Sequence, residues 1–238
     1  MRLAIETATD RASVALGTSG ADAMQRELAG ARRHAAGLLP LIQELLREAG
    51  VTLDAVSGLA LSDGPGSFTG LRVGAAVAKA LVQARGLPLW TAPSLLVRAG
   101  GVARPGQTVL ALADALRGDV YAAAYRFGTP SIEEVLAPSV HRPAELAAGR
   151  LRPDVLVGQV PEAAAGVLEA WAGTRIVGPP AGTPHARTLL DLLDRPGGAG
   201  RIEAVQGWEP HYGRPAEAQA RWETAHGRPL PDSIGSSR

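Results

Sequence analysis

Cysteine is absent from the 238 residues, which excludes disulfides, thiolate nucleophiles and cysteine-ligated zinc and fits a reducing cytoplasm. Aromatic side chains make up only 4%, too few to interleave with the scattered arginines as a base-stacking surface. Lysine is nearly missing, Lys79 being the one example. Neither charge sign dominates: 24 Lys and Arg against 23 Asp and Glu leave a net +1, so no global field draws the chain to nucleic acid or anionic lipid. No apolar run approaches the roughly 20 residues of a membrane helix, and Met1-Arg2 leads straight into a strand-like segment without a leader pattern. What is present is a 46% hydrophobic fraction, enough to bury a sizeable core. The expectation is a globular cytoplasmic protein, off the membrane, built as one large domain or two small lobes.

The order of periodicities points to α/β architecture. Leu3-Ala4-Ile5 and Ala12 to Gly17, separated by a short turn-like segment, predict an antiparallel hairpin, with a third strand over Ala23 to Leu28. Leu38, Leu39, Ile42, Leu45, Leu46 and Ala49 form one helical stripe ended by Gly50. Pro40 conflicts with a helix interior, so the helix starts near Arg33 with a bend or only just before Pro40. Val56 to Leu61 reads as a buried strand, Leu71 to Arg85 as a helix lined with small residues, and Pro88-Leu89-Trp90 as another strand. Strands at Val109 to Ala113, Val120 to Tyr125, Ile132 to Leu136 and Val155 to Gly158, with helices over 161–171 and 183–193, complete a second group, and Arg195 to Gly200 reads as a loop. This order gives two α/β lobes, residues 1–104 and 105–225, with a tail over 226–238 expected to fray. No internal sequence repeat supports the division.

The most informative stretch is Asp63-Gly64-Pro65-Gly66-Ser67-Phe68-Thr69-Gly70-Leu71-Arg72, a strand-to-helix connection rich in glycine and hydroxyls. Glycines let a ligand or another backbone come close, and Ser67 or Thr69 caps the next helix, whose free N–H groups favour an anion. An anion or partner site and a tight capped turn both satisfy this pattern. Known motifs fail on it: a dinucleotide fingerprint needs glycine where Thr69 stands, a Walker loop needs Lys before a hydroxyl, and a nucleophile elbow needs glycine at Pro65 and Thr69.

The opening Leu3 to Thr9 with Ser13 to Leu16, His34 followed by Leu38-Leu39-Pro40, the string Gly64 to Gly74, Asp114 to Tyr121 and Glu209 to Arg214 together resemble the bacterial TsaB (YeaZ) family, over roughly residues 2 to 225. The resemblance implies an actin-like, sugar-kinase or Hsp70-type fold of two related α/β lobes. It also implies a non-catalytic dimerisation subunit in the synthesis of threonylcarbamoyladenosine on tRNA. There it would support a catalytic TsaD-like subunit together with a TsaE-like ATPase, touching tRNA through the complex and forming a homodimer when alone.

A helical metal site needs two ligands one turn apart, whereas His34 is followed four residues on by Leu38, so no metal is expected. Glu6 stands where the family's first strand ends in Asp, which weakens any magnesium role. This chain is therefore expected to require no cofactor, with ATP or ADP and magnesium belonging to the assembled complex. Partner-interface candidates are His34, Leu38, Leu39, Ile42 and Leu45 on the first helix and Leu71, Gly74, Ala75 and Ala78 on the second, although at least half of these apolar positions must face the chain's own sheet. Anion or nucleotide contacts, if any, would come from Glu6, Thr7, Gly64, Gly66, Ser67 and Thr69. The rival readings are a stand-alone ATPase or phosphotransferase of the same fold and a peptidase acting on its partner.

Overall fold

A computed structural model of the chain describes residues 1–30 and 34–213. The expected tail and Arg33, the candidate helix start, lie outside the described residues. The chain opens with β1 (Arg2–Glu6), β2 (Arg11–Gly17) and β3 (Met24–Ala29), a meander followed by α1 (His34–Glu48), β4 (Leu59–Ser62), α2 (Phe68–Arg85), β5 (Leu89–Ala92) and α3 (Ser94–Gly100). It continues through β6 (Thr108–Asp114), β7 (Val120–Phe127), β8 (Ile132–His141), α4 (Pro143–Ala148), β9 (Val155–Gln159), α5 (Glu162–Ala172) and β10 (Ile176–Val177), then α6 (Ala186–Leu192) and β11 (Gly200–Ile202).

Two mixed sheets result, and their strand orders match. The first runs β11-β5-β4-β1-β2-β3, the second β10-β9-β6-β7-β8. In both, the leading strand pairs antiparallel with the next and parallel with the strand after the first crossover helix: β1 with β2 and β4, β6 with β7 and β9. This is the two-lobe α/β class expected from the sequence, with the duplication written in topology rather than in residues. The central strands are apolar without alternation because both their faces are covered; Leu3, Ala4 and Ile5 are fully buried, as are Leu110, Ala111 and Leu112.

Helices form three layers around the two sheets. The outer layer of the first sheet is α1 and α2, whose Leu38, Ile42, Leu45 and Ala78 pack with Leu3, Ile5, Leu59 and Leu61. The outer layer of the second is α4 and α5, through Leu146 and Leu168 against Leu110 and Leu156. Between the sheets lie α3 and α6, which join Ala4, Ala15 and Ala60 of one sheet to Val109, Ala111 and Ala123 of the other. Alanine on the inward strand positions leaves room for these helices to sit close to both sheets. The last segments return to the first sheet: α6 packs on β1, β2 and β4, and β11 pairs with β5.

Several local expectations need correction. The loop expected over 195–200 ends in β11, and α3 and α4 lacked a periodic signal because six or seven residues give less than two turns. Helix α1 starts at His34 and runs through Pro40; the missing N–H leaves the outward-facing carbonyl of Ala36 to solvent, where exposure of both residues makes the loss tolerable. Helix α2 starts three residues before the expected Leu71, because the Ser67 Oγ accepts a hydrogen bond from the Gly70 N–H at 3.2 Å. Leu45 is fully buried in the outer core, so Leu45→Ala is expected to cost about 2–5 kcal/mol in urea or thermal unfolding.

Candidate functional site

The glycine string folds back on its own chain. A Cβ on Gly66 would stand 2.4 Å from the Ala8 carbonyl oxygen, one on Gly70 2.1 Å from that of Thr7, and one on Gly74 2.4 Å from Thr7 Oγ1. The Ser67 N–H also donates to the Ala8 carbonyl at 2.7 Å. These glycines therefore serve the approach of α2 to the end of β1. Gly64 is held on the far side, where its N–H donates to Ser94 Oγ at 3.0 Å and a Cβ would meet the His211 carbonyl at 2.0 Å.

Behind this contact lies a buried polar cluster. Glu6 has no exposed surface, and its Oε1 accepts the Ala8 N–H at 2.6 Å. Its Oε2, Thr7 Oγ1 and Ser62 Oγ have no hydrogen-bond partner among the described residues. Burial pushes the Glu6 carboxyl up to about 7, against the opposing pull of the nearby Ser62 hydroxyl, the Ala8 N–H and the Arg98 guanidinium, while Asp63 adds to the rise. Ser62 lies close enough to favour the ionised form, yet its geometry falls short of a proper hydrogen bond. Arg98, on α3, is 7% exposed and donates from Nη1 to the Gly182 carbonyl at 2.9 Å. Burial lowers its pKa and Glu6 raises it. Burial also raises Asp63, which Thr91 and His211 counteract.

Above Glu6 opens a cleft of about 700 Å³ between the lobes. The first lobe contributes the β1–β2 turn (Thr9, Asp10), Gly66, Ser67 and Phe68. The second contributes the β6–β7 turn and the residues after β9, Gln159 to Pro161. In the β6–β7 turn Leu116 and Arg117 hold φ of 64° and 55°, a left-handed conformation unusual for residues with side chains. The Asp114 carboxylate supports it by accepting the Leu116 N–H at 2.7 Å. Residues 203–213 cross α2, where Lys79 pairs with Glu209 at 3.2 Å and lies 5.8 Å from the Trp208 ring. The His211 N–H then donates to the Asp63 carbonyl at 2.6 Å, setting the Tyr212 ring 4.8 Å from Phe68 at the cleft mouth. Arg72 lies 5.4 Å over Phe68.

The expected anion contacts divide accordingly. Gly66 and Ser67 line the cleft; Glu6, Thr7 and Gly64 lie buried behind it, and Thr69 points to solvent on the first turn of α2 outside the cleft lining. Arg98 and Gln159 went unnoticed in the sequence, and Leu116 and Tyr212 stood only within strings that carried the family resemblance, since only the fold brings these segments together.

The expected interface residues divide too. Leu38, Ile42, Leu45, Leu71, Gly74, Ala75 and Ala78 are buried within the monomer. Leu39 is 48% exposed. The His34 side chain lies outside what is described. His185 pairs with Glu27 at 3.1 Å and His141 Nε2 meets Ser139 Oγ at 2.8 Å; among the described residues no three His, Asp or Glu side chains group to hold a metal.

Glu6 has a measurable consequence. With a folded pKa near 7 against an ordinary 4.5, the folded chain keeps a proton that the unfolded chain releases. The stability from this group is therefore complete below about pH 4.5 and is lost as pH rises through 7, a change of about 3 kcal/mol. Glu6→Gln retains the Oε1 acceptor, so its urea midpoint is expected to fall less between pH 5 and 8 than that of the parent.

Residues 27–162 match the family model of the tRNA N6-adenosine threonylcarbamoyltransferase, TsaD. The chain is 39% identical over 146 residues to the tRNA threonylcarbamoyladenosine biosynthesis protein TsaB of Escherichia coli K12, covering 58% of this chain and 63% of that protein. It is 27% identical to the protein of the same name from Bacillus subtilis 168 over 195 residues, 80% of this chain and 84% of that one. The matched stretches span less than two thirds of the E. coli relative and 51% of the Haemophilus influenzae one. Among solved structures, YeaZ from Pseudomonas aeruginosa aligns with a TM-score of 0.64 at 31% identity, covering 81% of this chain and 90% of that chain. A second, an uncharacterised protein with similarity to peptidase YeaZ from the same organism, aligns with a TM-score of 0.69 at 28% identity, covering 90% of this chain and all of the other. With the shared two-lobe fold, these likenesses show that the chain belongs to the TsaB (YeaZ) family, inside the wider group described by the TsaD family model.

Proposed function

We propose that this chain is a non-catalytic subunit of the machinery that forms threonylcarbamoyladenosine on tRNA, pairing with a TsaD-like catalytic subunit. The names of its relatives and the match of residues 27–162 to the TsaD family model support this reading. The observation that carries it is the fate of the glycine string: Gly66, Gly70 and Gly74 are occupied by contacts with Thr7 and Ala8. A chain with the build of the transferase family, whose most distinctive loop is closed on itself, fits the part of a pseudo-symmetric partner. In this role it needs no cofactor of its own; ATP or ADP and magnesium act in the assembled complex, which a TsaE-like ATPase joins and through which tRNA is met. The chain works in the cytoplasm and pairs with itself when alone. No helix among the described residues is long and apolar enough to cross a membrane.

The surface that would serve for pairing is the outward side of α1 and α2, where Leu39, Pro40, Ala76 and Ala80 are exposed beside a core that already uses the inward positions. Small side chains there allow close helix approach across two subunits. Leu39→Arg and Ala76→Arg are expected to weaken both self-association and pairing with the organism's own TsaD-like protein about tenfold. Their melting temperatures should match the parent, because both positions are exposed. Co-purification followed by the tRNA modification assay tests the whole reading: a reaction equally fast without this chain would overturn it.

A further inference from the structure

Another cavity, of about 270 Å³, opens where the segment after α3 meets the β7–β8 turn and the loop after α6. It is remote from the interlobe cleft. Tyr121 lines the cleft and Phe127 lines this cavity, six residues apart on β7, or about 20 Å at the rise of an extended strand. Arg104 and Arg195 are its charged residues, and no carboxylate joins them among the described lining. The acidic side chains next along the chain are engaged elsewhere: Asp194 pairs with Arg2 and Glu133 with Arg126, both at 2.9 Å.

Arg195 is held ready for an anion. Its Nε donates to the Pro130 carbonyl at 3.1 Å and its Nη2 to the Gly128 carbonyl at 2.7 Å, and its guanidinium lies 5.6 Å over the Phe127 ring. These bonds occupy the Nε–Nη2 edge. The other edge, Nη1 with the second Nη2 hydrogen, has no acceptor among the described residues, and it keeps the fork that takes two oxygens of a carboxylate or phosphate. Arg104 is anchored at its backbone instead. Its N–H donates to Gln107 Oε1 at 3.0 Å and its carbonyl accepts the Gln107 N–H at 3.1 Å, while its exposed guanidinium has no hydrogen bond or ion pair among the described residues. Around the two guanidiniums the walls are apolar, with Pro105, Phe127 and Pro130. Two solvated arginines alone would say little. Here one is already oriented by backbone carbonyls, so little side-chain entropy is lost when an anion arrives.

We propose that this cavity binds a small organic oxyanion, a phosphate monoester or a dicarboxylate with a short apolar body. The anionic head is taken by the open edge of Arg195 and by Arg104, and the body lies against Pro105, Phe127 and Pro130. The site stands apart from the subunit role proposed above and from the interlobe cleft.

Calorimetric titration of the full chain with phenyl phosphate, phenylsuccinate, inorganic phosphate and benzyl alcohol tests it. One saturable site of submillimolar affinity is expected for phenyl phosphate or phenylsuccinate, and the tighter of the two identifies the preferred head group. Inorganic phosphate, lacking the apolar body, is expected to bind about tenfold more weakly, and benzyl alcohol not to saturate. Arg104→Gln and Arg195→Gln are each expected to weaken the tighter anion about tenfold or more. Arg195→Gln also removes the bonds to Gly128 and Pro130. Arg104→Gln, at an exposed side chain, keeps the parent melting temperature and so carries the test even if that turn is disturbed. The proposal fails if neither organic anion saturates at millimolar concentration, if benzyl alcohol or inorganic phosphate binds as tightly, or if either variant binds like the parent.

Discussion

The distance between the end of β1 and the first two turns of α2 governs the first lobe and half of the cleft. With Gly66, Gly70 and Gly74 all within 2.4 Å of atoms of Thr7 or Ala8 by their would-be Cβ positions, no other residue type fits at Gly66 or Gly70 without moving backbone, and at Gly74 the Thr7 side chain would have to shift. The approach fixes Ser67 as the cap of α2 and Phe68 at the cleft mouth. On the other flank of the same loop, Asp63 accepts from the His211 N–H, which positions the neighbouring Tyr212. One close contact thus locates cleft residues from two distant parts of the chain.

The same contact buries charge. Drawing α2 onto Thr7 and Ala8 seals Glu6 beneath the turn, where one oxygen has the Ala8 N–H and the other no hydrogen-bond partner among the described residues. Arg98 lies near enough to oppose the proton's retention without abolishing it. A carboxylate lost from solvent with half its acceptors unfilled binds a proton more tightly, so this floor is closer to neutral than its composition suggests.

The hairpin, the three-strand start, the strand before the glycine string and both outer helices of the first lobe were legible, because hydrophobic period and glycine stops state them directly. The two-lobe order was legible as well. What the sequence could not reveal is which side of a stripe faces inward when both sides carry apolar residues. Leu38 and Leu39 are neighbours, yet one is fully buried and the other half exposed, since adjacent helical positions are turned by about 100°. The glycines were visible but ambiguous: a close approach by a ligand and one by the chain's own β-turn demand the same absence of a Cβ. The cleft wall was hidden for a different reason. Phe68, Leu116, Gln159 and Tyr212 come from four segments joined only by the tertiary fold, and no spacing rule connects them.

The duplicated topology gives each half of the chain the same place at the cleft. In each half, the leading hairpin turn and the segment after the first parallel neighbour face it: Thr9-Asp10 with Gly66 to Phe68, then Asp114 to Leu116 with Gln159 to Pro161. These are equivalent positions at the carboxyl ends of parallel strands, where open α/β sheets present ligands. The chain fills them differently. In the first half the glycines allow helix to touch strand; in the second, the tight approach is between strands, where a Cβ on Gly158 would stand 2.0 Å from the Leu112 carbonyl. The helix after β9 can then begin with Pro161 at the cleft edge, and the turn opposite is free to hold Leu116 outward. Two halves of one topology thus make unlike walls, with Phe68 on one side and Leu116 and Tyr121 on the other. The character of the cleft comes from those side chains rather than from the fold they stand on.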